Sequence, residues 1–181
     1  MILFFGPAGS GKSAQAQALV DENGWKWLSI GQLLRDTPNE ETHEFQRKGV
    51  LVPFEKVNEV LHEALADNVG VEKLILDGYP RQINQAHWLV EECVSLDIPI
   101  QLAINFDVNM EELLKRMELR GRDDDTPDSI NERLATYHKE IDPILGYLSE
   151  TGVKAAHVDG VGTIEEIHDR VLNELSKCKL Q

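Results

Sequence analysis

Eight residues near the start of the chain, Gly6-Pro-Ala-Gly-Ser-Gly-Lys-Ser13, restrict its fold more than any other feature. They match the pattern G-x-x-x-x-G-K-[ST]. They stand between an apolar run, Met1 to Phe5, and the alanine-rich stretch Ser13-Ala-Gln-Ala-Gln-Ala-Leu-Val20, which favours helix. Strand, glycine-rich loop and helix is the context this pattern requires. Glycines permit backbone conformations that turn successive N–H groups inward, and the free N–H groups of the next helix face the same cavity, so donors converge on phosphate oxygens. The candidate phosphate contacts are Gly6, Gly9, Ser10, Gly11, Lys12, Ser13 and Ala14. Lys12 would neutralise the β- and γ-phosphates of a nucleoside triphosphate, and Ser13 would offer its hydroxyl to Mg²⁺.

The rest of the chain repeats the strand-then-helix alternation. Short apolar runs at 73–76, 101–106 and 153–158 are each followed by turn residues and a helical period, which predicts a parallel α/β sheet flanked by helices. Helix starts are marked by Asn109 with Glu112 and Thr163 with Glu166, both at capping-box spacing, and by Thr126-Pro127. From Ser29 to about Asn68 the text is helical without a clear apolar strand, including a long helix over 54–66 that begins after Pro53; this reads as a helical insertion in the sheet. Leu74-Ile-Leu-Asp77 is an apolar strand that ends in a carboxylate at the loop edge, which makes Asp77 the second Mg²⁺ residue, acting through water.

Length and charge narrow the classes of partner. With 181 residues, against roughly 150 per domain, the chain is a single domain with small excursions. Acidic residues outnumber basic ones by 32 to 18, a formal charge of −14, so the surface at large repels nucleic acid and anionic membranes. An anionic ligand then needs a locally positive pocket, and Arg116, Arg120 and Arg122 fall within seven residues. Cys93 and Cys178 are too few for a disulfide framework or a four-cysteine zinc site, and the N-terminus lacks a basic leader, so a cytoplasmic protein is expected. The six histidines fall on no motif and read as surface or packing residues, as do Trp25, Trp27 and Trp88.

No N-K-x-D guanine signature is present, and several further motifs resemble the adenylate kinase family over nearly the whole chain. Leu28-Ser-Ile-Gly-Gln-Leu-Leu-Arg35 resembles its acceptor-side segment, Gly49-Val-Leu-Val52-Pro53 its base-lining segment, and Asp77-Gly-Tyr-Pro-Arg81 its Asp-Gly-Phe-Pro-Arg signature. The resemblance implies a P-loop kinase with a short lid that transfers a phosphoryl group reversibly, ATP + AMP ⇌ 2 ADP, with Mg²⁺ and without structural zinc. It implies that Ser29, Ile30, Gly31, Arg35, Val52, Gly78, Arg81, Gln85, Arg122 and Arg133 meet the monophosphate. It places Arg116, ten residues after Phe106, on the donor adenine, with Arg120 beside the donor. Lys12, Arg81, Arg120, Arg122 and Arg133 are then the catalytic cations, with Asp124 and Asp125 as paired lid carboxylates.

The resemblance further implies a monomer with a core (1–29, 61–120, 133–181), a monophosphate-binding insertion (30–60) and a lid (121–132), the last two closing over the nucleotides. The residues depart from the family pattern in three places: Ser13-Ala14 replaces Gly-Thr, Ile30 stands for threonine, and Gln32 stands where aspartate is common. Two other readings stay open: a kinase for UMP, CMP or several monophosphates, and a slow ATP-binding switch.

Overall fold

The structure, a computed structural model, describes residues 1–48, 52–120 and 127–180. Among them the strands are β1 (Ile2–Phe5), β2 (Lys26–Ser29), β3 (Leu74–Asp77), β4 (Leu102–Asp107) and β5 (Lys154–Asp159). The helices are α1 (Lys12–Asn23), α2 (Ile30–Asp36), α3 (Glu40–Arg47), α4 (Phe54–Ala66), α5 (Ile83–Ser95), α6 (Met110–Arg120), α7 (Pro127–Glu150) and α8 (Ile164–Lys177). All strand pairs are parallel, in the order β2-β3-β1-β4-β5, so the phosphate loop leaves the middle strand of the sheet.

The unbroken apolar run of β1 follows from burial on both of its faces. Side chains alternate along a strand, so Met1, Leu3 and Phe5 pack with Leu61, Leu89 and Leu148 of α4, α5 and α7, while Ile2 and Phe4 pack with Ala16, Leu19, Val171 and Leu175 of α1 and α8. Each such fully buried side chain contributes on the order of 1.5–3 kcal/mol of transfer free energy. Phe4 also meets Phe106 edge-on with ring centroids 5.1 Å apart, which joins β1 to β4 beneath the loop.

The expected strands are present, with β3, β4 and β5 each displaced by one residue toward the C-terminus. Strand β2 is an addition that the apolar pattern did not reveal. It is an edge strand whose one fully buried residue is Leu28, and an edge needs no continuous apolar run. The insertion is helical as expected, and α4 begins at Phe54 directly after Pro53. Thr163 forms a complete capping box: the Glu166 N–H donates to Thr163 Oγ1 at 3.2 Å, and the Thr163 N–H donates to Glu166 Oε2 at 2.9 Å. Asn109 forms half of one, accepting from the Glu112 N–H at 2.9 Å, because the Glu112 carboxylate is taken by Arg116. Helix α7 begins at Pro127 as expected, and Thr126 lies outside the described residues. Among the described residues no helix is long and apolar enough to cross a membrane.

Candidate active site

In a parallel sheet the loops that can hold a ligand gather at the carboxyl ends of the strands. Asp77 ends β3 in register with Phe4 and with Ser29, so its carboxylate emerges beside the phosphate loop on one side and the start of α2 on the other. The residue is 4% exposed, and Ser13 Oγ donates to its Oδ2 at 3.1 Å. The two groups that the sequence assigned to Mg²⁺ are therefore in contact. Both are hard oxygen donors, and Mg²⁺ takes few protein oxygens, filling its octahedron with water and phosphate, so the pair fits that ion.

The loop itself is shaped by backbone. Gly9 has φ 83°, and a Cβ there would lie 3.1 Å from Leu113 O and 3.1 Å from Met117 Cγ, so any side chain would strain the turn and displace α6. Ser10 is fully buried, and Lys12 Nζ donates to Gly6 O at 2.7 Å, Pro7 O at 2.9 Å and Ser10 Oγ at 3.2 Å. The ammonium is thus held within the loop, where it can exchange those carbonyls for phosphate oxygens. Ala14 is exposed on the first turn of α1.

Helix α1 is pinned from behind. Gln15, 1% exposed, donates through Nε2 to Ile164 O at 2.9 Å, and its Oε1 lies 3.0 Å from His168 Nδ1. With the amide NH₂ committed to a carbonyl, Oε1 must accept, so His168 carries its proton on Nδ1. This histidine is a buried polar tie between α1 and α8.

Arg116 combines two roles. Its Nε donates to Glu112 Oε1 at 2.7 Å, the helix-face ion pair that composition alone would suggest. Its Nη1 also lies 3.6 Å from where a Cβ on Gly11 would sit, which brings the guanidinium against the phosphate loop.

The acceptor side is built differently. Gly78 (φ 84°) follows Asp77, and a Cβ there would lie 3.2 Å from Ile30 Cγ2 and 3.3 Å from Arg81 Nη2, so glycine is what lets β3 turn between α2 and Arg81. Arg81 Nε donates to Gly78 O at 2.7 Å. Arg81 is exposed as a residue, yet protein atoms crowd its guanidinium, and this desolvation, the largest influence, holds its pKa below the usual arginine value. The Asp77 carboxylate opposes the lowering and the Arg133 cation adds to it. The group stays charged at any working pH. Groups from β3 and α7 thus both act on the charge of Arg81 in the loop after β3.

Gln85, which the resemblance puts on the acceptor base, is engaged within the protein. It is 2% exposed, and its Oε1 accepts the Arg81 N–H at 2.7 Å. Tyr79, 1% exposed, donates its hydroxyl to Asn58 Oδ1 of α4 at 2.6 Å and lies 3.4 Å from Gln85 O. Burial raises its pKa well above the ordinary phenol value, so the hydroxyl keeps the proton it donates. Arg35 is turned onto its own helix: Gln32 Oε1 accepts from Arg35 Nη2 at 2.8 Å and from Nε at 3.3 Å, and Gln32 Nε2 donates to Asp36 Oδ1 at 2.7 Å. Arg35 Nη1 lies 3.5 Å from a Cβ position on Gly31. Ile30 and Val52 are buried members of the main apolar cluster, and Ser29 is half-buried at the start of α2.

Arg122, Asp124 and Asp125, and Gly49 to Leu51, lie outside the described residues, and Arg120 is described by its backbone alone, as the last residue of α6. The structure adds a group that motif reading passed over: Asn105, at 4% exposed, accepts the Tyr137 hydroxyl at 2.6 Å. A lone asparagine inside the apolar strand β4 was the available signal.

A central strand, a glycine-rich loop, a lysine at the head of the next helix and an aspartate at the end of the adjacent strand define a P-loop nucleotide-binding fold. The family profile described as "Adenylate kinase" matches residues 4–153. Curated adenylate kinases are similar along almost their full length. That of Mycolicibacterium vanbaalenii is 36% identical over 182 residues, covering 97% of this chain and 99% of its own. That of Thermus thermophilus is 36% identical over 180 residues, covering 94% of each. That of Mycobacterium tuberculosis is 36% identical over 182 residues, covering 97% of this chain and 99% of its own. The chain belongs to the adenylate kinase family and is a phosphotransferase.

Proposed function

We propose that this enzyme transfers the γ-phosphoryl group of ATP to AMP, reversibly, as ATP + AMP ⇌ 2 ADP. The observation that carries the reading is the placement of Arg81: its Nε donates to Gly78 O at 2.7 Å, directly after the Asp77 that accepts from Ser13 of the phosphate loop at 3.1 Å. A site for one nucleotide needs the loop and Lys12. Cations beside the loop in addition to Lys12 suit the charge of a phosphoryl in transit between two nucleotides.

On this reading the donor phosphates lie on the N–H groups of Gly9 to Ser13, with Arg116 beside the donor base. Lys12 shifts from the loop carbonyls to the β- and γ-oxygens. Arg35 leaves Gln32 for the monophosphate, and Gln85 meets the acceptor base. Arg81 and Arg133, with Arg120 and Arg122, disperse charge over the migrating group; planar guanidinium forks suit phosphate oxygens and stay charged throughout. Ser13 and Asp77 would hold Mg²⁺, which supplies further neutralisation of the β- and γ-oxygens. The transition state is loose and needs positioning more than a strong base. The helical insertion, residues 30–60, moves with the monophosphate and keeps water from the donor. The enzyme works as a cytoplasmic monomer, and with a formal charge of −14 its surface at large repels anions, so the phosphates are held by the local cations of the site.

Steady-state turnover with ATP against AMP, UMP, CMP and GMP tests the acceptor. A base site that hydrogen-bonds adenine leaves buried polar groups unpaired with the wrong base, so AMP should lead in kcat/KM by roughly 10²-fold or more. Equal or better use of UMP or CMP would replace AMP as the substrate. ATP binding without transfer to any acceptor would leave only a nucleotide-binding switch.

A further inference from the structure

We propose that Tyr137 and Asn105 are positioning residues for Arg133: the hydrogen bond between them sets the height and rotation of α7 so that this arginine reaches the phosphates. The inference rests on the kinase reading above, which makes Arg133 a phosphate ligand. Tyr137 follows Arg133 by four residues, one helical turn, so the two side chains leave the same face of α7. Asn105 stands on β4 in register with Phe5, the residue before the phosphate loop. One strand end therefore supports the loop that holds the donor and the tyrosine that fixes the arginine opposite it.

The direction of the bonds is determined by chemistry. Asn105 Nδ2 donates to Asp107 Oδ1 at 2.7 Å, and that carboxylate can only accept, so Asn105 must turn Oδ1 toward Tyr137 and the phenol must donate, at 2.6 Å. Asp107 is held in turn by His157 Nδ1 at 2.9 Å from its other oxygen. Burial pushes the Tyr137 pKa up to about 12, so the hydroxyl keeps its proton throughout and takes no part in proton transfer. Ile130 and Leu134 already pack the same end of α7 against Leu113 and Met117. Apolar packing is non-directional and lets the helix slide or roll, whereas a short hydrogen bond to a buried amide does not.

The test is a double-mutant cycle read in kcat and KM. Tyr137→Phe and Asn105→Ala should each lower kcat about tenfold, since small displacements of a transition-state contact are costly, with KM for ATP and AMP changed less than about twofold. In an Arg133→Ala background, Tyr137→Phe should lower kcat by less than about twofold more, because the group it positions is gone. A thermal unfolding midpoint for each variant separates this from simple loss of stability. If Tyr137→Phe lowers the midpoint with kcat intact, or multiplies the Arg133→Ala effect in full, the positioning role is wrong and the kinase site stands. If Arg133→Ala alone leaves turnover unchanged, the placement of Arg133 among the catalytic cations falls, and this inference with it.

Discussion

The two ends of the site are built by opposite means. At the donor end, conformation comes from backbone: the loop leaves the middle strand, turns on glycines at positive φ, and is backed by an α1 helix tied to α8 through Gln15. At the proposed acceptor end, recognition would fall to side chains from α2, the β3–α5 connection and α5, and each is engaged with a neighbour: Arg35 with Gln32, Arg81 with Gly78 O, Gln85 with the Arg81 N–H. The donor end has its backbone preorganised by the sheet, with the Lys12 side chain trading loop carbonyls for phosphate, whereas at the acceptor end each of these side chains must exchange an internal hydrogen bond for the ligand. Changes at the first should therefore abolish transfer to every acceptor, and changes at the second should grade the response to the monophosphate.

Lys12→Ala is the most severe test of that contrast. Losing the ammonium at the β- and γ-phosphates should lower kcat on the order of 10³-fold with any acceptor; a loss confined to one acceptor would erase the distinction between the ends. Arg81→Ala should come next, at about 10²-fold or more in kcat/KM for AMP, with ATP binding, measured by equilibrium titration, largely spared. Equal weakening of ATP would show that Arg81 belongs to the donor end.

Tyr79→Phe probes the link between α4 and the acceptor loop. It leaves the 7%-exposed Asn58 without the hydroxyl that donates to its Oδ1, which should destabilise the fold by roughly 1–3 kcal/mol, read from chemical denaturation. Adding Asn58→Leu should recover part of that loss by removing the orphaned group; no recovery would mean that the pair is not an isolated hydrogen bond. The smallest change is Gln32→Ala. Releasing Arg35 from an exposed hydrogen bond worth about 0.5 kcal/mol should lower KM for the monophosphate about twofold, and a rise in KM would mean that Gln32 orients Arg35 rather than competing for it.

This contrast also governs what could be read from the chain. The donor end is contiguous in sequence: an apolar strand, eight loop residues and a helix, plus an aspartate ending a second apolar strand, so local chemistry was enough to locate Ser13 and Asp77. Helix α4 after Pro53 and the Thr163 cap were legible for the same reason. The acceptor residues could be named only through the family motifs, and their hydrogen-bonded state could not. Gln32 and Arg35 are spaced for contact on a helix, but nothing local says that the pair forms in preference to others. Strand β2 escaped because three of its four residues are incompletely buried, and the Tyr137–Asn105 bond because it joins groups 32 residues apart. Long-range polar pairs leave no periodic signal.

A crystal structure with a bisubstrate inhibitor, two adenosines joined by five phosphates, tests the central claim most directly. The account predicts one adenosine beside Arg116 with its phosphates on Gly9 to Ser13. The other should lie against Gln85, with Arg35 released from Gln32 and Arg81 and Arg133 both on the phosphate chain. A single ordered adenosine, with Arg35 still on Gln32 and the second nucleoside in solvent, would contradict it.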